Sequence, residues 1–259
     1  MLGSNGASAL RVKDLTVRFA GILALDHVTV TVGPGEVVAV VGSNGAGKST
    51  LLNALCGLLR RNAVGEIELY GESLLGRRPW SIAALGIGRS FQEPRLIESG
   101  TVLENILCGA HLQLSYRMPG QLWAGKVLRA EGPAIARAVE LLRLAGLERY
   151  RHAPVSGLPF GVRKIVDIIR AIVAEPRLLV LDEPTSGLDD DEQLEVVQLL
   201  KAVKQELGLT AMVVEHNMDV VRLLADTAIG MHAGRVITTG SAHEVLDSTD
   251  FLNVLTGSS

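Results

Sequence analysis

Gly42-Ser43-Asn44-Gly45-Ala46-Gly47-Lys48-Ser49 carries the spacing G-x-x-x-x-G-K-[ST]. Glycines at these positions let successive backbone N–H groups curl around an anion, and the N-terminus of a following helix adds a favourable dipole. Lys48 contributes a positive charge, and the Ser49 hydroxyl, next to Thr50, suits Mg²⁺. The chemistry indicated is the binding of a nucleoside triphosphate through its β- and γ-phosphates. Further on, Leu178-Leu179-Val180-Leu181-Asp182-Glu183 ends an apolar run in two carboxylates. Ligands of open α/β sheets gather at the C-terminal ends of strands, where these acids fall. Asp182 is expected to hold Mg²⁺, and Glu183 to accept a proton from an attacking water.

Such groups need a rigid frame, and the surrounding pattern supplies one. Val28, Val30 and Val32 alternate in HVTVTV, and Gly33-Pro34-Gly35 turns the chain into Val37–Val41, which is apolar on both faces. That run predicts a buried parallel strand leading into the glycine loop, with a helix over Leu51–Cys56 and a strand over Glu66–Tyr70. From Leu103 to Gly157 the signals are helical, except that Pro119, Gly120, Gly125 and Pro133 predict loops or short helices over Tyr116–Gly132. Strand and helix then alternate: LLVL, the Asp190–Leu207 helix, TAMVV, the Met218–Ala225 helix, TAIGM and RVITT. The frame is therefore an α/β core with a mostly helical insertion.

The 259 residues, 47% hydrophobic and 3% aromatic, are ample for a core without a disulfide or metal staple. Basic residues number 25 against 28 acidic, a net charge of −3, so no wide basic face is offered to nucleic acid. The two cysteines, Cys56 and Cys108, sit among apolar neighbours and read as core in a reducing compartment. Met1–Leu10 lacks the order of a signal peptide, and no apolar run is long enough to cross a bilayer. Thr256–Ser259 reads as a loose tail. A mean hydropathy of +0.30 leaves room for a partner surface.

With the glycine loop and the acidic pair, five further segments, in order, resemble the ATP-binding-cassette (ABC) ATPases. Gln92, in Ser90-Phe91-Gln92-Glu93, is similar to that family's Q-loop glutamine. Ser186-Gly187-Leu188-Asp189 resembles its D-loop, His216 its switch histidine, and Phe19 the aromatic that stacks on adenine. Each has an ordinary alternative: a surface glutamine, a helix cap at Asp189, a loop histidine, a core phenylalanine. The fifth segment is the family's signature, normally Leu-Ser-Gly-Gly-Gln. Here it is Leu158-Pro159-Phe160-Gly161-Val162, in which Pro159 has neither the serine hydroxyl nor an N–H.

The resemblance implies an ABC-type cassette: a mostly parallel core sheet, an N-terminal antiparallel β subdomain, and a helical subdomain inserted after the Q-loop. One domain over 8–256 is expected, with nucleotide-binding lobes 8–92 and 160–256 and helical lobe 93–159. ATP would lie against Phe19, the loop Gly42–Thr50, Gln92, Asp182 and His216. Mg²⁺ would be held by Ser49, Gln92 and Asp182, with Glu183, His216, Lys48 and Gln92 catalytic. Leu158, Pro159, Phe160, Gly161 and Asp189 would face the ATP of a second cassette. The signature form, followed by Arg163 and Lys164, and the Val214–Met218 stretch are similar to importers of branched-chain or hydrophobic amino acids. Expected partners are a second ATPase subunit, same or related, transmembrane permeases and, indirectly, an external solute-binding protein, at the cytoplasmic face of the membrane. No nucleic acid is expected. A soluble ABC ATPase acting on nucleic acid or ribosomes, and a phosphate-loop small-molecule phosphotransferase, stand as alternatives; the second leaves Gln92, Asp189 and His216 without a task. Leu96, Ile97 and Leu103 either line a groove for a membrane partner or belong to the core.

Overall fold

The computed structural model describes residues 8–117, 124–249 and 251. The chain opens with β1 (Leu10–Phe19), β2 (Ile22–Val32), β3 (Val37–Gly42) and α1 (Lys48–Leu55), then β4 (Ala63–Leu69) and a short β5 (Glu72–Ser73). Next come α2 (Pro79–Ala84), β6 (Ile87–Arg89), α3 (Val102–Arg117), α4 (Ala124–Leu144) and α5 (Phe160–Ile172). The remainder alternates through β7 (Leu178–Asp182), α6 (Asp190–Leu207), β8 (Ala211–Val214), α7 (Met218–Leu224), β9 (Thr227–His232), β10 (Arg235–Ser241) and α8 (Ala242–Asp247).

One sheet has six strands in the order β10-β9-β3-β8-β7-β6, with every pair from β9 to β6 parallel and β10 antiparallel at the edge. The other has four antiparallel strands ordered β2-β1-β4-β5. The expected split into a mainly parallel core, an N-terminal antiparallel layer and an inserted helical region is thus present.

Strand β3 is buried throughout because each of its faces meets a different core. Val38 and Val40 join Leu51, Leu52 and Leu55 of α1 and the inner face of the antiparallel sheet. Val37 packs in the core shared with α3, α5 and α6, while Ala39 and Val41 meet α7 and α8. A strand covered on both sides reads as a continuous apolar run, which is why its alternation is invisible in the sequence. Helix α5 turns Ile165, Ile168, Ile169 and Ile172 inward, worth at most roughly 6–12 kcal/mol of apolar burial. Helix α6 begins at a reciprocal capping box between Asp189 and Glu192 and ends on Gly208 in the left-handed conformation.

Two expectations need correction. The predicted breaks over Tyr116–Gly132 are not all there: α4 starts at Ala124 and continues through Gly125, Gly132 and Pro133. A proline inside a helix forfeits one backbone hydrogen bond, and the flanking turns carry it. Cys108 is exposed, not core; only Cys56 is buried. Val102, Ile106 and Ala110 mark the inward stripe of α3 at four-residue spacing, and Cys108 falls off that stripe. Pro119, Gly120 and the Thr256–Ser259 tail lie outside the described residues. Among those described, no helix is long and apolar enough to cross a membrane.

Candidate functional site

The site is built along four neighbouring strand ends. In the order β3, β8, β7, β6, the chain leaves the sheet into the glycine loop, His216, the Asp182–Glu183 pair and Gln92. The loop itself demands glycine. Gly47, with φ of 101°, caps α1, and a Cβ there would stand 2.8 Å from the Ala24 carbonyl of β2. At Gly42 a Cβ would lie 2.2 Å from the Met231 carbonyl. The loop is thus wedged between β2 and β9, and Gly234 N–H ties it down by donating to the Ala46 carbonyl at 3.0 Å.

Lys48 is nearly buried, and its ammonium donates to the carbonyls of Gly42 at 2.8 Å and Ser43 at 3.0 Å. Burial pushes its pKa down, opposed by the negative charges of Glu183 and Asp182. Asn44, Gly45 and Ser49 are exposed around the loop, Ala46 is buried, and Thr50 is half-buried on α1.

Glu183 is the meeting point. Its Oε1 lies 2.8 Å from His216 Nε2, and its Oε2 accepts from Gln92 Nε2 at 2.9 Å. Two residues singled out separately in the sequence, Gln92 and His216, therefore converge on the carboxylate of a third. The Glu183 backbone has a φ of 49°, a left-handed setting that costs a non-glycine residue roughly 1–2 kcal/mol. Its N–H donates to Val214 O at 2.9 Å and its carbonyl accepts from Ser186 N–H at 3.2 Å, so the surrounding chain enforces that setting. Asp182 pairs instead with Arg89, Oδ2 to Nη2 at 3.3 Å. Burial raises the Asp182 pKa, and the Arg89 charge pulls it back.

Phe19 ends β1 opposite Ile22 and is 37% exposed, so it is not core. Its hairpin continues into Ala24, whose carbonyl faces Gly47 of the loop. The signature and D-loop residues form a second group. Pro159 is the N-cap of α5 and makes no side-chain cap bond; Leu158 is half-buried and Phe160 exposed. A Cβ on Gly161 would lie 2.3 Å from Glu192 Oε1, and one on Gly187 would lie 3.2 Å from the Phe160 ring. Asp189 accepts from Glu192 N–H at 2.9 Å, so its cap role is present. Leu96 and Leu103 pack half-buried against the core, while Ile97 is exposed.

Two functional neighbours escaped the sequence reading. Arg89, the last residue of β6, holds Asp182. Buried Glu215 accepts from Thr185 N–H at 3.0 Å and Oγ1 at 2.6 Å, and from His216 N–H at 3.0 Å. It thereby ties the turn after Glu183 to the segment of His216. Its signal was available: a carboxylate directly after the apolar strand Ala211–Val214, as Asp182 ends its own strand.

Among the described residues no cluster of three or more His, Cys, Asp or Glu converges as a metal cage. The donors near the loop are a hydroxyl on Ser49, a carboxylate on Asp182 and the amide oxygen of Gln92. Mg²⁺ favours such hard oxygens, one or two of them protein carboxylates with the rest from phosphate and water, so the donor set fits it.

A glycine loop closing on Lys48, with an acidic pair across the neighbouring strands, defines a phosphate-loop nucleoside triphosphatase. The model of the ABC transporter family matches residues 25–186. The chain belongs to this family of transport ATPases. It is 32% identical over 249 residues to the high-affinity branched-chain amino acid transport ATP-binding protein LivG of Escherichia coli (strain K12), covering 96% of this chain and 97% of that one. Among solved structures, the ADP conformation of MJ1267, an ATP-binding cassette of an ABC transporter, superposes with a TM-score of 0.81 at 27% identity, covering 96% of this chain and 99% of that one. The dimeric post-hydrolysis state of the cassette MJ0796, bound to ADP and Pi, gives 0.73 at 29% identity, covering 90% and 98%.

Proposed function

We propose that this chain is the ATP-hydrolysing subunit of a membrane importer for branched-chain amino acids or related small solutes, acting as one of two cassettes that close on ATP. The observation that carries the hydrolytic part is Glu183 held between Gln92 and His216 beside the Lys48 loop. The importer and its solute class rest on similarity to LivG along nearly the whole of both chains. The dimeric state of MJ0796 supports a pair of cassettes.

In this reading Phe19 stacks on adenine, and the N–H groups of Gly42–Thr50 with Lys48 bind the phosphates. Glu183 takes the proton from the attacking water, while His216 and Gln92 fix that carboxylate and the γ-phosphate. Ser49, Asp182 and Gln92 would hold Mg²⁺, which would supply charge neutralisation on the phosphates. The chemistry is positioning plus electrostatics, so each group matters greatly. Leu158–Gly161 and Asp189 face the nucleotide of the other cassette.

Residues 8–92 and 160–256 would act as the nucleotide-binding lobes of one domain, and 93–159 as a helical lobe that moves on closure. A groove of about 390 Å³, lined by Cys56, Leu58, Ile82, Phe91, Cys108 and Arg170, runs beside Gln92. It suits a helix of a transmembrane permease, which would put the chain at the cytoplasmic face of the membrane. An external binding protein would act only through the permease. The test is detergent co-purification with co-expressed candidate permease subunits, followed by ATPase assay with the solute-loaded binding protein. A complex whose turnover rises with a branched-chain amino acid is expected; a chain that binds no membrane subunit removes the importer.

A further inference from the structure

Lys164 stands one helical turn after Gly161, on the buried side of α5, and only 2% of it is exposed. Its ammonium donates to the main-chain carbonyl of Glu183 at 2.6 Å. The negative groups around it are Glu215, Glu183, Asp167 and Asp182. Two of these have firm partners of their own. Glu215 is held by Thr185 and His216 N–H, and Asp167 by Arg170 and by Phe91 N–H at 3.1 Å. The lysine therefore is not required to satisfy those carboxylates; what it grips is the backbone of Glu183.

That backbone is the left-handed one, and the direction of its Cα–Cβ bond decides where the carboxylate lies. Two donors meet at the Glu183 carbonyl, Ser186 N–H from the following turn and Lys164 from another element. The second joins the general base to the helix whose N-terminus is Pro159–Gly161. We propose that Lys164 is a positioning residue for hydrolysis: it fixes the Glu183 backbone so that the carboxylate meets His216 and Gln92, and it ties that setting to the signature end of α5. This rests on Glu183 as the base that activates water. Displacing a reacting group by about 1 Å can lower a rate by about 100-fold, and a lost grip on this carbonyl acts in that way.

The test is steady-state hydrolysis of Mg²⁺-ATP by the full chain carrying Lys164→Met, with ATP affinity and melting temperature measured alongside. Methionine keeps the length and apolar stem but removes the donor. The expected result is a fall in kcat of about 10- to 100-fold with KM for ATP within about two-fold. If Lys164→Met does not fold, Lys164→Gln serves; its N–H is one atom too short to reach the carbonyl, and the same split is expected. A kcat within three-fold of the parent, or a loss that merely follows weaker ATP binding, overturns the proposal. Glu183→Gln is run in parallel to separate the two readings. If that variant hydrolyses ATP normally, it is the role of Glu183 that fails; if it is inactive while Lys164→Met is unaffected, only Lys164 falls.

Discussion

Glu183 Oε1 and His216 Nε2 stand 2.8 Å apart across the ends of two adjacent parallel strands, β7 and β8. The pairing of Asp182 with Val214 in the sheet sets this, because Glu183 follows Asp182 directly and His216 stands two residues after Val214. Gln92 approaches the same carboxylate from the far side, after β6. A carboxylate held from both sides has little freedom to reorganise when charge develops, which is the source of electrostatic catalysis in such sites.

Glu183→Gln is therefore expected to keep ATP binding while lowering turnover by on the order of 10²-fold or more, since the water loses its base. Lys48→Ala is expected to act differently, weakening nucleotide affinity itself. Phosphate release and equilibrium binding of labelled ATP separate the two. Near-normal hydrolysis by Glu183→Gln would remove it from this role.

Phe19 projects from the hairpin whose Ala24 carbonyl faces Gly47 of the phosphate loop. Phe19→Ala is expected to weaken ATP binding by about 1–3 kcal/mol through lost stacking, and Phe19→Tyr to be tolerated. Titration calorimetry measures both. An unchanged affinity for the alanine variant rules out stacking.

Gly161 leaves no room for a side chain beside Glu192, which closes the capping box with Asp189. Gly161→Ala is expected to push Glu192 away and weaken the start of α6, a loss of about 0.5–2 kcal/mol. The melting temperature should drop accordingly, by roughly 2–4 °C for each kcal/mol. In a Glu192→Ala background the same substitution should have a smaller effect, since the clash is already gone. Equal losses in both backgrounds would show that the contact does not matter.

The site residues legible in the sequence are those near the ends of apolar strands: the glycine loop after Val37–Val41, Asp182 and Glu183 after Leu178–Leu181, and His216 after Met212–Glu215. A polar residue one or two positions after a buried strand has little choice but the sheet edge. Less legible were groups defined by a partner distant in the chain. Arg89 finds Asp182, and Lys164 finds the Glu183 carbonyl, only once β6, β7 and α5 are packed. In sequence Lys164 looks like a charge beside the signature, although it interrupts the inward stripe continued by Ile165 and Ile168. Helix phase also misled at Cys108, where apolar neighbours in sequence are not neighbours in space.

Pro159 leads to the last prediction. As N-cap of α5 it offers no hydroxyl; in the proposed pair of cassettes, where a serine would supply a donor to the partner's γ-phosphate, this chain would have only the helix N-terminus and Gly161. If the partner cassette carries an ordinary signature, the two ATP sites are unequal. The site built from this chain's Lys48, Glu183 and His216 then uses the partner's better signature and carries most of the hydrolysis. A hydrogen bond to a charged phosphate is worth roughly 1.5–3 kcal/mol, so the imbalance is expected to reach one or two powers of ten. The measurement is to place the Glu→Gln change in each cassette separately within the assembled transporter. Glu183→Gln should abolish most turnover, and the partner's change should leave most of it. The reverse outcome would mean that exposed Phe160, packed against Gly187, builds an equally good or better half-site without the serine, and that the asymmetry assigned to Pro159 is wrong.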